Sequence, residues 1–372
     1  MSVRIDLAPR LQALVERDVH AYPEMPGRLL HVLAPGIATE VAAGVANLAT
    51  REPLVAGSRF RIASVTKPFV AAAALRLVED GRLDLEDSID DLLPVPYLDV
   101  LRAGGYRPEA ISLRHLLSHT SGIYDFVADA YDPSITGGFV QVTMADPRRR
   151  WTRLEQVRFA MDHGHPYGAP GQAYAYSDTG ACLVGEILEQ TTGRTMGAAI
   201  RELLGLDRLG LAHTYHESID PDPPDLPPLA HQYEGEFDVA RFDASVDLWG
   251  GGGLVSTCGD LARFFRALLR GEVFRRPETL ELMCTRSVGV PPVEATPTAE
   301  VGLEDDPTGA GLFLYRTELA GEVFWGHGGF WGTAAFTCPR LHLTVVTQHG
   351  QAHMPAHFDR RGIIAEVVGV VG

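Results

Sequence analysis

The stretch Ser64-Val65-Thr66-Lys67 decides how this chain of 372 residues is read. Upstream, Ser58-Arg59-Phe60-Arg61-Ile62-Ala63 alternates polar and apolar side chains as a strand does. Downstream, Thr66 to Asp80 is rich in Ala and Leu and stops at Gly81, the pattern of a helix. The spacing predicts a strand that turns into a helix at residue 64. Three residues apart in a first helical turn, the Ser64 hydroxyl and the Lys67 amine lie on one face. Unsatisfied N–H groups at a helix start favour negative charge, which suits a developing alkoxide. A serine is a useful nucleophile only beside a base, and a lysine amine is one of few candidates. By itself the tetrapeptide also fits a helix cap beside a solvated lysine, so other stretches must decide.

Two do. Tyr176-Ser177-Asp178 follows the turn signal Pro170-Gly171 and precedes a helical stretch, Gly180 to Thr192, closed by Gly193. A tyrosine there is expected on a loop facing a cleft. A nearby cation favours its phenolate, so Tyr176 can act as general base and then acid; the competing reading is a half-buried core tyrosine. Gly326-His327-Gly328-Gly329 lies between two strand patterns, and glycines in a strand mark close approach to the backbone. An edge strand of this kind would bind an extended substrate. It would lend a backbone N–H, from about Phe330, to an oxyanion hole shared with Ser64. The alternative is a bulge or hairpin with a surface histidine.

In this order the three motifs resemble those of the serine β-lactamase and penicillin-binding-protein superfamily. The similarity is to its class C branch, which includes DD-carboxypeptidases, D-aminopeptidases and esterases. It extends over roughly residues 25 to 350. Gly44 to Lys67, Leu113 to Gly122 and Gly251 to Phe265 also look like the family. The resemblance implies that Ser64 is acylated, that Lys67 assists its deprotonation, and that Tyr176 shuttles protons. It places His327, with Gly328 and Gly329, along the substrate strand, and the N–H groups of Ser64 and Phe330 around the oxyanion. It reads His115 and His119 as structural, satisfied histidines.

Two departures bear on substrate. Asp178 stands where the family usually has Asn, and a carboxylate beside Lys67 would stabilise the ammonium. Gly328 replaces the hydroxyl residue that, in carboxylate-binding relatives, helps to hold the substrate's carboxylate. That weakens the β-lactamase and DD-carboxypeptidase readings. The leading expectation is a serine hydrolase cleaving an ester or amide of a small molecule or short peptide, of esterase, amidase or D-amino-acid peptidase type. An acyltransferase of secondary metabolism using the same acyl-serine, and a catalytically silent binding protein, remain alternatives.

The rest of the chain supplies the frame. Arg28 to Leu33 and Thr39 to Val45 read as a strand pair, and strands recur at Gly311 to Tyr315, Glu322 to Gly326, Gly332 to Cys338 and Leu341 to Gln348. An apolar helix, Gly362 to Val370, closes the chain. Between about 82 and 175 short helical pieces such as Leu113 to Ser118 sit among loops. The expected fold is α/β (α+β): an antiparallel sheet from N- and C-terminal strands flanked by helices, with an inserted all-helical region. Residues 1–81 and 176–372 would form the sheet domain and 82–175 the helical one, with the active site in the cleft between them. Gly250 to Gly253 lacks the Gly-Lys-Ser/Thr ending of a phosphate loop and reads as close backbone packing. Thr257-Cys258-Gly259-Asp260 reads as a capping box opening a helix, Leu261 to Leu269.

A formal charge of −16 argues against nucleic acid or anionic membrane as partner. No apolar run approaches a bilayer's thickness, and Met1 to Arg10 has no apolar h-region, so a cytoplasmic location is expected. Cys182, Cys258, Cys284 and Cys338 lack metal spacing and read as free thiols. His349, His353 and His357 recur every fourth residue, but Pro355 interrupts them. No metal and no cofactor is expected. Trp325, Phe330 and Trp331 would line an acyl pocket or pack the sheet, and Tyr124 and Phe126 would form another wall. Oligomeric state is not legible.

Overall fold

The structure is a computed structural model describing residues 7–130, 132, 134–285, 291, 293 and 309–371. The opening six residues, part of the stretch read for an export signal, lie outside the described residues. The chain starts with helix α1 (Ala8–Ala21) and the hairpin β1 (Gly27–Ala34) and β2 (Ile37–Gly44). A short strand β3 (Arg59–Arg61) leads through a 3₁₀ turn, Ala63–Thr66, into α2 (Lys67–Glu79). Residues 82–175 carry α3 (Ile89–Leu92), α4 (Val95–Ala103), α5 (Leu113–Leu117), α6 (Phe139–Ala145) and α7 (Arg153–His163). Next come α8 (Asp178–Thr192), α9 (Met196–Leu204), and the small strands β4 (Tyr215–His216), β5 (Tyr233–Glu234), β6 (Phe237–Asp238) and β7 (Leu254–Thr257). Helices α10 (Cys258–Leu269) and α11 (Pro277–Met283) precede β8 (Tyr315–Leu319), β9 (Glu322–Gly329), β10 (Thr333–Cys338) and β11 (Leu343–Gln348), and α12 (Gly362–Val371) ends the chain.

The main sheet has the order β2-β1-β11-β10-β9-β8 and is antiparallel throughout. As expected, strands from the two ends of the chain meet: Leu30 of β1 lies opposite Thr347 of β11. Side chains alternate between faces, as the two-residue period of a strand requires. Leu30, Val32, Phe336 and Val345 pack with Leu11 and Val15 of α1 and Ile363 and Ile364 of α12. Leu29, Ala335 and Val346 face the opposite way, into the large core with Phe264 of α10 and the alanines of α2.

Three expectations are corrected. The strand predicted for Gly311 to Tyr315 starts only at Tyr315, because Phe313 has φ +49° and Gly311 N–H closes a tight turn on Leu314 O. The segment before Ser64 forms three strand residues, not six, and pairs with β7 in a separate sheet, β3-β7-β4. The helix after the glycine run starts at Cys258, with Thr257 Oγ1 accepting from Asp260 N. The Asp260 carboxylate turns instead to His213 N and Thr214 Oγ1, so the capping box is half formed.

Candidate active site

The turn that presents Ser64 is held from three sides. Ala63, just before it, has φ +47°, a backbone conformation a non-glycine residue adopts only at a cost. Ile62 N–H donates to Leu254 O of β7, and Val65 N–H closes back on Ile62 O. On the third side β9 passes close by. A Cβ at Gly329 would lie 2.5 Å from Ile62 O, so only glycine lets the strand approach the turn. The glycines of the third motif thus mark backbone packed against the Ser64 turn. The pairing of β8 with β9 ends at Gly326, which leaves His327 to Gly329 without a β8 partner on that side.

Lys67 is fully buried at the first turn of α2. Its ammonium donates to Ser64 Oγ (2.8 Å), Asp178 Oδ1 (2.5 Å) and the Gly251 carbonyl (2.9 Å), which uses all three of its hydrogens. Tyr176 Oη lies 2.9 Å from Ser64 Oγ, and the Lys67 nitrogen lies 4.8 Å from the Tyr176 ring centre. The three sequence-predicted groups Ser64, Lys67 and Tyr176 therefore meet at one oxygen atom. Tyr176 differs from the expectation of a cleft-exposed loop residue: it is fully buried, its ring tilted against that of His119 (4.4 Å between centres). The loop is pinned by Ala175 N–H to His119 O and by Ser177 N–H to His119 Nδ1.

Asp178 opens α8, behind the cap Ser177. Its backbone N–H donates to Asp125 Oδ1, and burial together with the Asp178 charge holds the Asp125 carboxyl well above the usual carboxylate range. The glycine run is the complement of these carboxylates. A Cβ at Gly251 would lie 2.3 Å from Asp178 Oδ1, and one at Gly252 would lie 2.1 Å from Asp247 Oδ2. Close packing, and not phosphate binding, explains the run.

Beside the serine opens a pocket that Ser64 itself lines. Its lining is largely apolar, with Val127, Phe139, Val140, Phe242, Phe330 and Trp331 among it. Ser64, Asp178, Glu234 and Asp247 are among its polar residues. Phe330 and Trp331 thus line it, whereas Trp325 packs into the core and Tyr124 and Phe126 lie outside the lining. His327 is neither a pocket residue nor a surface residue. It is fully buried, with Nδ1 2.5 Å from Gly328 O, and burial with the Lys67 charge pushes it down to about 3, so the ring is neutral. His119 is half satisfied, since its buried Nε2 has no partner among the described residues. Asp125, Glu234 and Asp247 were not singled out from sequence. Only the position of Asp247, three residues before the glycine run, offered a signal.

The four cysteines are free thiols. No group of His, Cys, Asp and Glu among the described residues has the arrangement of a metal site. No helix among them is long and apolar enough to cross a membrane.

The sequence matches the family described as beta-lactamase over residues 15–368. The chain belongs to the beta-lactamase family. Within it, the chain is 29% identical over 372 residues to the esterase EstB of Burkholderia gladioli, covering 91% of this chain and 89% of that protein. It is 27% identical over 241 residues to penicillin-binding protein 4* of Bacillus subtilis, covering 62% of this chain and spanning about half, 49%, of that protein's length. The solved structure of a D-stereospecific amidohydrolase from a Streptomyces species superposes with a TM-score of 0.75 at 26% identity, over 95% of this chain and 97% of that one. The Ser64–Lys67–Tyr176 contacts thus lie within a chain of this family and fold.

Proposed function

We propose that Ser64 is acylated by an ester or amide of a small molecule or short peptide, and that water then releases the acid. The observation that carries this is the placement of one hydroxyl oxygen between an amine at 2.8 Å and a phenol at 2.9 Å. Asp178 and the Gly251 carbonyl accept from the Lys67 ammonium, whose charge stabilises a Tyr176 phenolate, which takes the Ser64 proton. Ser64 Oγ bonds to the substrate carbonyl carbon. When the tetrahedral adduct collapses, the bond to the leaving group breaks and the leaving oxygen or nitrogen takes the proton from Tyr176. Water repeats the cycle on the acyl-serine, giving its proton to Tyr176 and releasing the acid as Ser64 regains its hydrogen. The N–H groups of Ser64, at the helix start, and of Phe330, after β9, face the developing oxyanion in this reading.

The apolar lining residues Phe139, Phe242 and Phe330 suit a hydrophobic acyl group. The similarity to an esterase and to a D-stereospecific amidohydrolase supports ester and amide substrates, the latter of D configuration. Net charge −16 supports a small-molecule or peptide partner over nucleic acid or anionic membrane. Four free thiols support a reducing, cytoplasmic setting. The test is turnover of a p-nitrophenyl ester, a D-amino-acid anilide and penicillin by wild type and Ser64→Ala. Ester or anilide turnover that disappears in Ser64→Ala supports the reading. A long-lived penicillin adduct in place of turnover would move it to a penicillin-binding role.

A further inference from the structure

The pocket beside Ser64 is unbalanced in charge. Three carboxylates line it, and no lysine or arginine side chain among the described residues does. Two of the three are matched: Asp178 by Lys67 at 2.5 Å, and Glu234 by His353 Nε2 at 2.6 Å when that ring is protonated. Even then Glu234 Oε2 is buried with no hydrogen-bond partner among the described residues. Asp247 makes no side-chain hydrogen bond or ion pair among them, although Asp178 and Lys67 are close enough to act on its charge. Its carboxylate is folded onto Gly252, a position where any Cβ would collide with both oxygens. The consecutive glycines 251 and 252 therefore set Asp178 and Asp247 side by side. An unmatched carboxylate in a largely apolar pocket is costly to keep, and a charge retained there is explained by what it receives.

We propose that this pocket selects substrates whose acyl part carries a protonated amine, and that Asp247 is the residue that takes the ammonium. Glu234, which also lines the pocket, adds to its negative charge. The apolar residues then hold the side chain of an aminoacyl group while Asp247 fixes the amine, and the two contacts orient the carbonyl toward Ser64. The substrates so defined are amino-acid amides, amino-acid esters and peptides with a free amino terminus. An acyl chain without an amine would leave the Asp247 carboxylate desolvated and unpaired, which disfavours neutral esters of the same shape. The inference deepens the acyl-enzyme reading of Ser64, and its test is chosen to be separable from it.

The test uses the full chain as Ser64→Ala, which cannot be acylated at that position, and titrates it calorimetrically with phenethylamine and with 2-phenylethanol. The two probes share a ring and chain length and differ in charge. A charge-assisted hydrogen bond predicts tighter binding of the amine by roughly ten- to hundredfold at pH 8. In Ser64→Ala combined with Asp247→Asn that preference falls to near unity. Equal binding of the two probes, or a preference that survives Asp247→Asn, overturns the proposal. A companion measurement on the Ser64 enzyme compares kcat/KM for the p-nitroanilides of D-phenylalanine and 3-phenylpropanoic acid. The ratio is expected to favour the amino substrate and to collapse in Asp247→Asn. Amine binding through Asp247 without acylation of Ser64 would defeat the hydrolase reading alone. Acylation without amine preference would defeat this proposal alone.

Discussion

The Lys67 ammonium lies 2.5 Å from Asp178 Oδ1, directly beneath the serine oxygen it also contacts. Asp178 occupies the site where the family usually has an amide, and the contact has two consequences. It offsets the cost of burying Lys67, and with Ser64 Oγ and the Gly251 carbonyl it takes up all three ammonium hydrogens. Base catalysis is thereby shifted toward Tyr176.

Asp178→Asn keeps an acceptor for Lys67 but removes the charge. Esterase activity is expected to be retained or raised, with lower thermal stability, because a buried ammonium loses its counter-ion. Steady-state turnover and a melting curve on the same preparation check both. Complete loss of activity in a folded variant would contradict the assignment of Asp178 as a modulator.

Tyr176→Phe removes one oxygen from a fully buried ring. Removing a general acid–base group typically costs about 10²- to 10⁴-fold in kcat, whereas the lost hydrogen bond to Ser64 costs only about 1 kcal/mol of stability. A variant with near-native stability and a fall in kcat of that size supports the proton shuttle. An unchanged kcat would return the base role to Lys67.

Burial, with the Asp178 charge, pushes the Asp247 carboxyl up to about 7. Lys67 and Arg61 oppose the shift, Glu217 adds to it, and Glu234 shares the pocket. The folded value is raised above the unfolded value of about 3.9, so the folded state binds the extra proton. The charge cost is absent below about pH 4, grows as pH rises, and is complete above about pH 7, at up to about 4 kcal/mol. Asp247→Asn is therefore expected to stabilise the protein at pH 8 and to change little near pH 4, as melting curves at the two pH values would register. The same titration predicts that amine binding by the Ser64→Ala protein weakens as pH falls through about 7.

Arg153 of α7 is buried against Glu186 of α8 and lies 2.9 Å from Glu189, while Tyr97 of α4 donates to Glu186 at 2.9 Å. This network ties two helices of the 82–175 segment to the helix that opens at Asp178. Arg153→Met leaves Glu186 with a buried, unmatched charge and is expected to cost about 3–5 kcal/mol. Replacing Glu186 by Leu as well should recover much of that. Denaturant melts of the two variants check the sign.

Much of this was legible because the chemistry is local in sequence. Ser64 and Lys67 are joined by helical spacing alone, and the strands β1, β2, β10 and β11 follow from short apolar and β-branched runs bounded by turn residues. The approach of Tyr176 to Ser64 and of Asp178 to Lys67 rests on contacts more than 100 residues apart, which only the resemblance supplied. His327 was misplaced because strand periodicity does not reveal which side of β9 lines the pocket. Asp247 went unread for a similar reason: an isolated aspartate before a glycine run reads as an exposed turn residue. Its meaning comes from Gly252, whose missing Cβ makes room for the carboxylate.

The most direct test of the central claim is the mass of the intact protein, quenched in acid within seconds of adding a p-nitrophenyl ester. The account predicts a rise equal to one acyl group on the wild type, mapping to the peptide that holds Ser64, and none on Ser64→Ala. A Ser64→Ala protein that still gains the acyl group and still turns over the ester would contradict it.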